Sequence, residues 1–572
     1  MSIYDKASLV LIPSGTKTSK VYSQKPVNGD GDFTFSRSTA ATRVNASGNI
    51  EKETMNLVPR SNDFSAWSKA GNASVTSGQA GYDGTNDAWL ATSDSTAQNY
   101  QVYRGWATYG VQTFSIYAKA NTATIFLIDY AIPDNGYVRV DLTDGSVVAE
   151  SGASNFIRSN VEDVGNGWYR ISVTANVTNS TYIRAGAYST AGSVYIQDAQ
   201  VEQGLVARDY IETTTAAVYG GITDNVPRLD YTDSSCPALL LEPQRTNGIT
   251  ASEYFDGSNL NNTTISAEYN TADTLSPEGV YNAAKLTATG NFPRYYDFPT
   301  IGNNVDVSLS VFAKQGDASV FTIRGNDKSN TAFVVNFDLA NGTAELSQFD
   351  SLEPTFDIQP FGNGWYRCIV NTNSGSGATA FQIRPISHAQ GETGGWSGSN
   401  YIYAYGVQYE ASASYATSYI PTYGTSVTRN QDLCYITNLK NDVTTGATEG
   451  SVMIDFTRDG VHSTGDAIQV YGDTSNGRGY VYNTGVGFAS NWGLGAFNIS
   501  YGTDYKVLYR LNTLSTGNIF LNGSKSSDAS GSSWGSINAI YLRGSFGTLK
   551  IRQVLVSTTA LTDQEAIDLT TI

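Results

Sequence analysis

The stretch Gly165-Asn-Gly-Trp-Tyr-Arg170 occurs twice in this chain, since it returns unchanged as Gly362-Asn-Gly-Trp-Tyr-Arg367. In the first copy the β-branched residues Ile171 and Val173 follow, and the second copy continues in the same way. An Asn-Gly pair that leads into aromatic and β-branched residues predicts a hairpin turn followed by a strand. The identical recurrence of this hexapeptide indicates an internal repeat.

Shorter matches on both sides of the hexapeptide extend the repeat. The paired pieces are Ser115–Lys119 with Ser310–Lys314, Gln200–Glu202 with Gln408–Glu410, Tyr210–Ile211 with Tyr419–Ile420, and Arg60–Asn62 with Arg245–Asn247. Most of the length difference between the copies falls between these pieces, as expected when strands keep register and loops absorb insertions. The pieces are short, alternating and bounded by turn residues, so they predict two antiparallel β-sandwich modules of the jelly-roll type.

The pattern divides the chain into five parts. We expect an N-terminal anchoring segment at 1–56, module 1 at 57–220, a docked connector at 221–241, module 2 at 242–429 and a different third module at 430–572. Near the end, Thr562 stands three residues before Glu565, a capping box that predicts a short helix. Other helix signals are nearly absent, so the predicted fold class is all-β.

Composition narrows the classes of function. The chain has 572 residues, of which 15% are charged, and its formal net charge is -17. Such a surface repels phosphate backbones, so we expect no nucleic-acid binding. No apolar run approaches the roughly 20 residues of a membrane-spanning helix, and the N-terminus lacks a signal-peptide pattern. We therefore expect a soluble protein made in a cytoplasm, without membrane insertion.

Side chains suited to catalysis are scarce. His388 and His462 are the two histidines, and neither lies in a motif for catalysis. Three cysteines at long spacings indicate neither disulfides nor a zinc site, and Cys368 falls at a core strand position. Hydrolysis of a glycoside needs a pair of carboxylates, and no such pair stands out among the 52 Asp and Glu residues, so we expect no enzymatic activity.

A sugar-binding site needs a flat aromatic ring beside amides or carboxylates, because the C–H face of a sugar stacks while its hydroxyls form hydrogen bonds. Trp168 and Trp365 recur at predicted strand starts, so we assign them to the core. Trp396 lies in a glycine-rich insertion of module 2, and Trp492 has a similar setting in the third module. These two tryptophans are the candidate carbohydrate contacts.

One segment is a candidate for metal binding. In Asp83-Gly-Thr-Asn-Asp87 the carboxylates of Asp83 and Asp87 offer oxygen ligands for a structural calcium ion. The segment lacks the full spacing of a calcium loop, and a plain turn explains it more simply. No other cofactor is expected.

Several stretches resemble known families. The strand Leu549–Val556 followed by Ala560-Leu-Thr-Asp-Gln-Glu565 resembles the end of concanavalin A-like (laminin-G-like) lectin domains. The hexapeptide, together with Leu240-Leu-Glu-Pro-Gln-Arg-Thr-Asn247, resembles the carbohydrate-binding-module-like jelly rolls of bacteriophage virion proteins. Phe33–Arg43 resembles the openings of phage tail fibres and head fibres. Module 1 departs from the pattern at Asn56–Asn62, so a ligand site shared by both modules is not implied.

The resemblance implies a non-enzymatic structural protein of a bacteriophage virion, a fibre or a surface decoration that displays lectin-like modules. It implies assembly in the host cytoplasm, a place on the virion surface, and other virion proteins and a host-surface glycan as partners. A homo-oligomer, most simply a trimer, is expected. One alternative is a purely structural capsid or tail decoration protein that binds only virion proteins. A polysaccharide depolymerase is a further, less favoured alternative.

Overall fold

The structure is a computed structural model, and antiparallel strands dominate the parts of the chain that it describes. Those parts are residues 3–94, 99–131, 136–178, 181–189, 191–255, 261–269, 272–290, 294–296, 304–326, 331–349, 353–373, 380–387, 399–460, 462–473, 477–488, 495–531 and 534–572. The predicted all-β fold class is confirmed: the chain forms tandem antiparallel β-sandwiches with very little helix.

The N-terminal part holds a helical turn and seven short strands. They are the turn Ile3–Lys6, β1 (Ala7–Leu11), β2 (Thr16–Lys17), β3 (Lys20–Val21), β4 (Phe33–Ser36), β5 (Arg43–Val44), β6 (Ile50–Glu51) and β7 (Thr54–Asn56). The segment has no sandwich of its own, because its first four strands join sheets of the C-terminal sandwich.

Module 1 is a sandwich of two six-stranded sheets. Its elements are the 3-10 turn Phe64–Ala66, β8 (Ser68–Lys69), β9 (Ser74–Gln79), β10 (Ala88–Ser93), β11 (Val102–Trp106), β12 (Gly110–Ala120), β13 (Ile125–Ala131), β14 (Tyr137–Asp141), β15 (Ser146–Glu150), β16 (Phe156–Gly165), β17 (Trp168–Val177), β18 (Thr181–Ala187), β19 (Gly192–Gln203) and β20 (Val218–Gly220). The sheet orders are β16-β17-β12-β19-β10-β9 and β15-β14-β13-β18-β11-β8.

Module 2 follows the connector strands and repeats this arrangement strand for strand. The elements are β21 (Arg228–Asp230), β22 (Ala238–Leu241), β23 (Arg245–Asn247), β24 (Asn261–Thr263), β25 (Ile265–Tyr269), β26 (Ala284–Ala288), β27 (Arg294–Tyr296), β28 (Asp306–Gln315), β29 (Val320–Asn326), β30 (Thr331–Asp338), β31 (Thr343–Phe349), β32 (Thr355–Pro360), β33 (Trp365–Asn373), β34 (Ala380–Arg384), β35 (Tyr401–Ala411) and β36 (Val427–Arg429). The orders β32-β33-β28-β35-β26-β25 and β31-β30-β29-β34-β27-β24 match those of module 1 position by position.

The hexapeptide forms the predicted hairpin in both modules. Asn166 and Gly167 have positive φ angles of 55° and 75°, and Asn363 and Gly364 have 50° and 77°. Two successive residues with positive φ are the requirement of the tight turn that suits the twist of a hairpin, and Asn-Gly adopts them at low cost. The turns join β16 to β17 and β32 to β33.

One predicted pairing between the repeats was out of register. Asn56 Nδ2 donates to the carbonyl groups of Ala199 and Ile211, at 3.0 and 2.8 Å. Asn247 Nδ2 makes the same two bonds in module 2, to Val407 and Ile420 at 3.2 and 2.8 Å. The structural equivalent of Asn247 is therefore Asn56 and not Asn62. The predicted match of Arg60–Asn62 with Arg245–Asn247 was wrong because both segments share the pattern Arg-x-Asn.

The C-terminal sandwich is composite. Its own elements are β37 (Leu433–Ile436), the helical turn Leu439–Asp442, β38 (Gly450–Asp459), β39 (Ile468–Gly472), β40 (Arg478–Tyr482), β41 (Gly485–Phe488), β42 (Gly495–Asn498), β43 (Asp504–Thr513), β44 (Thr516–Leu521), β45 (Ser524–Lys525), β46 (Ala529–Ser530), β47 (Ile537–Arg543), the 3-10 turn Gly544–Phe546, β48 (Thr548–Ser557) and the helix Asp563–Thr570. Strands β1 and β22 both pair with β48, and β4 pairs with β37. The core accordingly contains Leu9, Phe33 and Leu239 beside residues of the last part of the chain.

The predicted capping box and the predicted burial of Cys368 are confirmed. The Thr562 side chain and Glu565 form a reciprocal capping box at the start of the closing helix. Cys368 and Cys434 are buried, whereas Cys236 is exposed. Within the described residues no helix has the length and apolar character needed to cross a bilayer.

Candidate functional site

The strand that begins at the hexapeptide tryptophan presents two different faces. On β17 the side chains of Ile171 and Val173 lie in the core between the sheets. Because side chains alternate along a strand, Arg170, Ser172 and Thr174 lie on the outer face of the sheet. In β33 the same alternation puts Cys368 and Val370 in the core and Arg367, Ile369 and Asn371 outside.

The hexapeptide tryptophans are buried, as predicted, but on the outer side of the sheet and away from the core between the sheets. Trp168 is 2% exposed and lies in a small cluster with Tyr82, whose ring stacks on Tyr117 at a centroid distance of 3.7 Å. Trp365 is 1% exposed, and its Nε1 donates to the Leu275 carbonyl at 2.8 Å. Neither ring is available for stacking against a sugar.

A cleft of about 470 Å³ lies over the outer face of module 2 and is called here the module 2 cleft. Its floor includes Asp357 and Gln359 from β32, and Asn371 from β33. Its walls come from the N-terminal segment, the connector and the C-terminal sandwich, which contributes Tyr501 and Lys550. Four distant parts of the chain therefore form one concave site.

A second cleft of about 410 Å³, the module 1 cleft, lies over the outer face of module 1. Asn160 and Glu162 from β16 and Thr174 from β17 line its floor. The opposite wall is a loop of module 2 that carries Leu275 and Tyr281.

The two clefts occupy the same position in the two repeats. In module 1, Glu162 stands opposite Arg170 across the hairpin. In module 2, Gln359 stands opposite Arg367 in the same register. The two clefts share this position but differ in its chemistry, because Glu162 of the module 1 cleft is replaced by Gln359 in the module 2 cleft.

The hexapeptide arginine fixes the segment that borders each cleft. Arg367 Nη2 donates to the Thr417 carbonyl at 2.6 Å and to Ser310 Oγ at 3.0 Å. Arg170 Nη2 makes the equivalent bonds to the Arg208 carbonyl and to Ser115 Oγ. The role of this arginine in both modules is structural.

The recurring glutamates Glu202 and Glu410 hold the same segments. Glu202 accepts from the backbone N–H of Arg208 at 3.1 Å, and Glu410 accepts from that of Thr417 at 3.0 Å. Both carboxylates are buried, at 2% and 0% exposed. Both glutamates therefore stabilise the fold, and their partners lie in the following loop and not on a neighbouring strand.

The module 2 cleft combines the groups that bind a polyhydroxyl ligand. Tyr501 is 40% exposed, and the Arg458 guanidinium lies 5.7 Å from the centre of its ring. Gln359 Nε2 donates to Asp357 Oδ2 at 2.8 Å, which holds an amide and a carboxylate side by side on the floor. A tyrosine face beside amide and carboxylate oxygens offers both stacking and hydrogen bonds to a sugar.

Lys550 supplies a positive charge to this cleft. Its Nζ lies 2.6 Å from Asp233 and 3.4 Å from Asp459. Burial raises the pKa of Asp459, and the charge of Lys550 opposes that rise. Lys550 thus links the connector to the C-terminal sandwich at the rim of the cleft.

The residues predicted from sequence to contact a sugar, Trp396 and Trp492, lie outside the described residues, as does His388. His462 is described: its Nδ1 faces Arg245, and burial together with that positive charge lowers its pKa.

Asp83 and Asp87 are brought together by their neighbours. Thr85 Oγ1 donates to Asp83 at 2.7 Å, and Gln197 Nε2 donates to Asp87 at 2.7 Å. Among the described residues no group of three or more His, Cys, Asp or Glu side chains has the arrangement of a metal site.

The cleft residues themselves were not identified from the sequence. The alternation of side chains along the strand could have identified some of them, because it assigns Arg367, Ile369 and Asn371 to the same face of the sheet. No sequence pattern identified Tyr501. This residue lies in a turn of the C-terminal sandwich, and it lines the module 2 cleft only because that sandwich packs against module 2.

Neither a protein-family model nor a curated protein matches this chain. Among solved structures, the tandem CBM22-1–CBM22-2 domain of Paenibacillus barcinonensis Xyn10C is 12% identical, with a TM-score of 0.21, over 62% of this chain and 97% of that one. Trypanosoma rangeli sialidase is 10% identical, with a TM-score of 0.20, over 87% and 98%. The LG1-3 region of the laminin alpha2 chain is 10% identical, with a TM-score of 0.15, over 81% and 96%. Superpositions this loose carry no argument about function.

Proposed function

We propose that this protein is a non-enzymatic, glycan-binding structural protein of a bacteriophage virion, and that the module 2 cleft binds the glycan. The observation that carries the proposal is the combination of Tyr501 with Asp357, Gln359 and Asn371 around a cavity of about 470 Å³. The assignment to a virion rests on the resemblance of the repeats and of Phe33–Arg43 to phage fibre proteins.

The protein would present a preformed site to its ligand. Buried ion pairs of Arg228 with Glu242 and with Asp432 join the parts of the chain that form the cleft, so we expect little ordering on binding. Preformed sites avoid part of the entropic cost of association. Display on a particle in several copies strengthens weak sugar contacts, because the second contact becomes intramolecular.

The test is a glycan array probed with the full-length protein, followed by titration of any ligand found. Tyr501→Ala is expected to weaken binding about fivefold to tenfold, since one aromatic contact contributes about 1 kcal/mol. Tyr482→Ala is the matched control, because Tyr482 is 42% exposed in the same sandwich and does not line the cleft. Equal effects of both substitutions would remove the module 2 cleft from consideration.

The alternative functions have separate readouts. A purely structural decoration protein would bind no glycan and would still join the particle. A depolymerase would release reducing ends from host polysaccharide. Imaging of particles that carry the labelled protein would establish whether it is a fibre or a decoration, and its mass in solution would test the expected trimer.

A further inference from the structure

A lysine lies between two glutamates where the N-terminal segment meets module 2. Lys52 Nζ is 2.5 Å from Glu278 Oε1 and 2.7 Å from Glu253 Oε1, and none of the three side chains is more than 4% exposed. Lys52 precedes β7, whereas Glu253 follows β23 and Glu278 lies between β25 and β26. An amine is therefore held against two carboxyl groups of a distant part of the chain, with little access to water.

The two oxygens of Glu253 have different surroundings. Oε1 accepts hydrogen bonds from the hydroxyls of Tyr405, Tyr419 and Tyr423, at 3.1, 3.3 and 3.3 Å. Oε2 is buried and has no hydrogen-bond partner among the described residues. A buried carboxylate oxygen without a partner is destabilising, so a reaction that removes Oε2 relieves that cost. Three hydroxyl donors around Oε1 are suited to stabilise negative charge that develops there.

The carboxyl carbon of Glu253 is within reach of the amine. Because Nζ is 2.7 Å from Oε1 and a C=O bond is about 1.2 Å long, Nζ lies within about 4 Å of that carbon. Burial raises the pKa of Glu253, although the charge of Lys52 opposes the rise. Burial thus favours the neutral pair of an amine and a carboxylic acid. Fixed and well-oriented groups reach effective concentrations of about 10⁵–10⁸ M, which favours their condensation.

The second carboxylate, Glu278, stays ionised. Arg208 pairs with it, and the Tyr405 hydroxyl donates to it. Burial raises the pKa of Glu278, but the charges of Arg208 and Lys52 lower it to about 2. A carboxylate at 2.5 Å from Nζ can accept a proton from the nitrogen and pass it on.

Module 1 shows that the sandwich does not need a carboxylate at the position of Glu253. Ser252 and Ser61 are equivalent, because each shares a hydrogen bond of 2.6 Å with the tyrosine of the repeated Tyr-Ile pair. The residue after Ser61 is Asn62, so module 1 has an amide where module 2 has Glu253. The carboxyl group is therefore present only in the repeat that a buried lysine reaches.

We propose that Lys52 and Glu253 join in an intramolecular amide bond, with Glu278 as the proton relay. The amine attacks the carboxyl carbon, a C–N bond forms, and the electron pair of the C=O bond moves to Oε1, where the tyrosine hydroxyls stabilise it. Two of the three ammonium protons pass by way of Glu278 to Oε2. The C–Oε2 bond then breaks, the carbonyl group reforms, and Oε2 leaves as one water molecule. No oxidant or further reactant is needed.

This inference is independent of glycan binding. The contacts described above are those of the chain before the bond forms, and Glu278 keeps its pairing with Arg208 afterwards. The bond would join residue 52 to residue 253 covalently, so that the N-terminal segment and module 2 could not separate even in the unfolded chain.

The intact mass of the full-length protein, measured after denaturation, tests the bond. We expect a mass lower than that of the sequence by one water molecule, and proteolysis should release a branched peptide that links Lys52 to Glu253. Lys52→Arg should have the full mass of its own sequence, because a guanidinium stays protonated and does not attack a carboxyl group. A parent protein with the full sequence mass would overturn the proposal and leave a buried ion pair only.

Lys285→Arg is the matched control. Lys285 lies 3.5 Å from Asp273, but both side chains are in contact with solvent, so no bond is expected there. This variant should lack one water molecule, as the parent does. A missing water molecule that persists in Lys52→Arg, or a branch that maps to a residue other than Glu253, would also overturn the proposal.

Discussion

Arg228 and Asp432 form an ion pair in which both side chains are completely buried, although 204 residues separate them in the chain. Arg228 also pairs with Glu242 at 2.6 Å, and Asp432 with Arg37 at 3.1 Å. Burial alone would raise the pKa of Glu242, but the charges of Arg429 and Arg228 hold it well below its usual range. This network joins the N-terminal segment, the connector and the start of the C-terminal sandwich.

Removal of Asp432 is expected to destabilise the protein strongly. Asp432→Ala leaves the Arg228 and Arg37 guanidinium groups buried with less compensation, which costs about 3–5 kcal/mol. Denaturant unfolding measures the loss. The control Asp442→Ala, at an exposed position of the same sandwich, should stay within about 0.5 kcal/mol of the parent. Similar free energies of unfolding for the two variants would show that the buried network does not stabilise the fold more than an exposed aspartate does.

The N-terminal strand is expected to stabilise the C-terminal sandwich. Leu9 is completely buried in that sandwich, and Leu9→Ala should cost about 2–5 kcal/mol. The amides of Val554–Ser557, which face β1, should then exchange faster with solvent. Ile12→Ala, just beyond the strand and 42% exposed, is the control. Unchanged exchange in Leu9→Ala would contradict the composite sandwich.

Asn56 and Asn247 are expected to contribute equally to the free energy of unfolding. Asn56→Ala and Asn247→Ala each leave buried backbone groups without partners, at a cost of about 1–3 kcal/mol. Because the two sites belong to separate modules, their effects should add within about 0.5 kcal/mol in the double variant. Denaturant unfolding of the four proteins measures this cycle. A large difference between the single variants would argue against the corrected alignment of the repeats.

Acid is expected to weaken the junction of the modules through Glu278. Burial raises its pKa, but the charges of Arg208 and Lys52 outweigh burial and lower the pKa from 4.5 to about 2. Since the folded value is the lower one, this group stabilises the folded state above pH 4.5, and the contribution is lost as the pH falls towards 2.

Unfolding midpoints measured between those pH values test this expectation. Glu278→Gln should show a flatter dependence on pH than the parent, whereas Glu353→Gln, at an exposed position, should follow the parent. Burial raises the pKa of the neighbouring Glu253, so that group contributes in the opposite direction. The difference between the parent and Glu278→Gln measures the contribution of Glu278 separately, because Glu253 is present in both proteins.

Local chemistry explains which features the sequence predicted correctly. The Asn-Gly turns, the capping box of Thr562 and Glu565, and the burial of Trp168 and Trp365 each depend on residues close together in the chain. The repeat was recognisable because strands kept their register. Even so, one short match placed Arg60–Asn62 on Arg245–Asn247, since a three-residue pattern does not fix register.

Long-range pairing explains what the sequence did not predict. Nothing in Ala7–Leu11 specifies that it pairs with residues near Ser557, because strand partners are chosen by the whole fold. The clefts also form between modules, so residues far apart in the sequence line them: Thr42 and Lys550 in the module 2 cleft, and Arg158 and Tyr281 in the module 1 cleft. The two candidate tryptophans lie outside the described residues, and their role stays a prediction.

The pairing of β1 with β48 has a consequence for synthesis. A ribosome releases the N-terminal strands first, but their partner emerges only after residue 557 has been made. Modules 1 and 2 can fold during translation. During that time Leu9 and Phe33 remain exposed to solvent, because they are buried only in the C-terminal sandwich. A chain that stops early therefore leaves this apolar surface and the unpaired edge of β1 exposed to solvent, where both favour aggregation over folding.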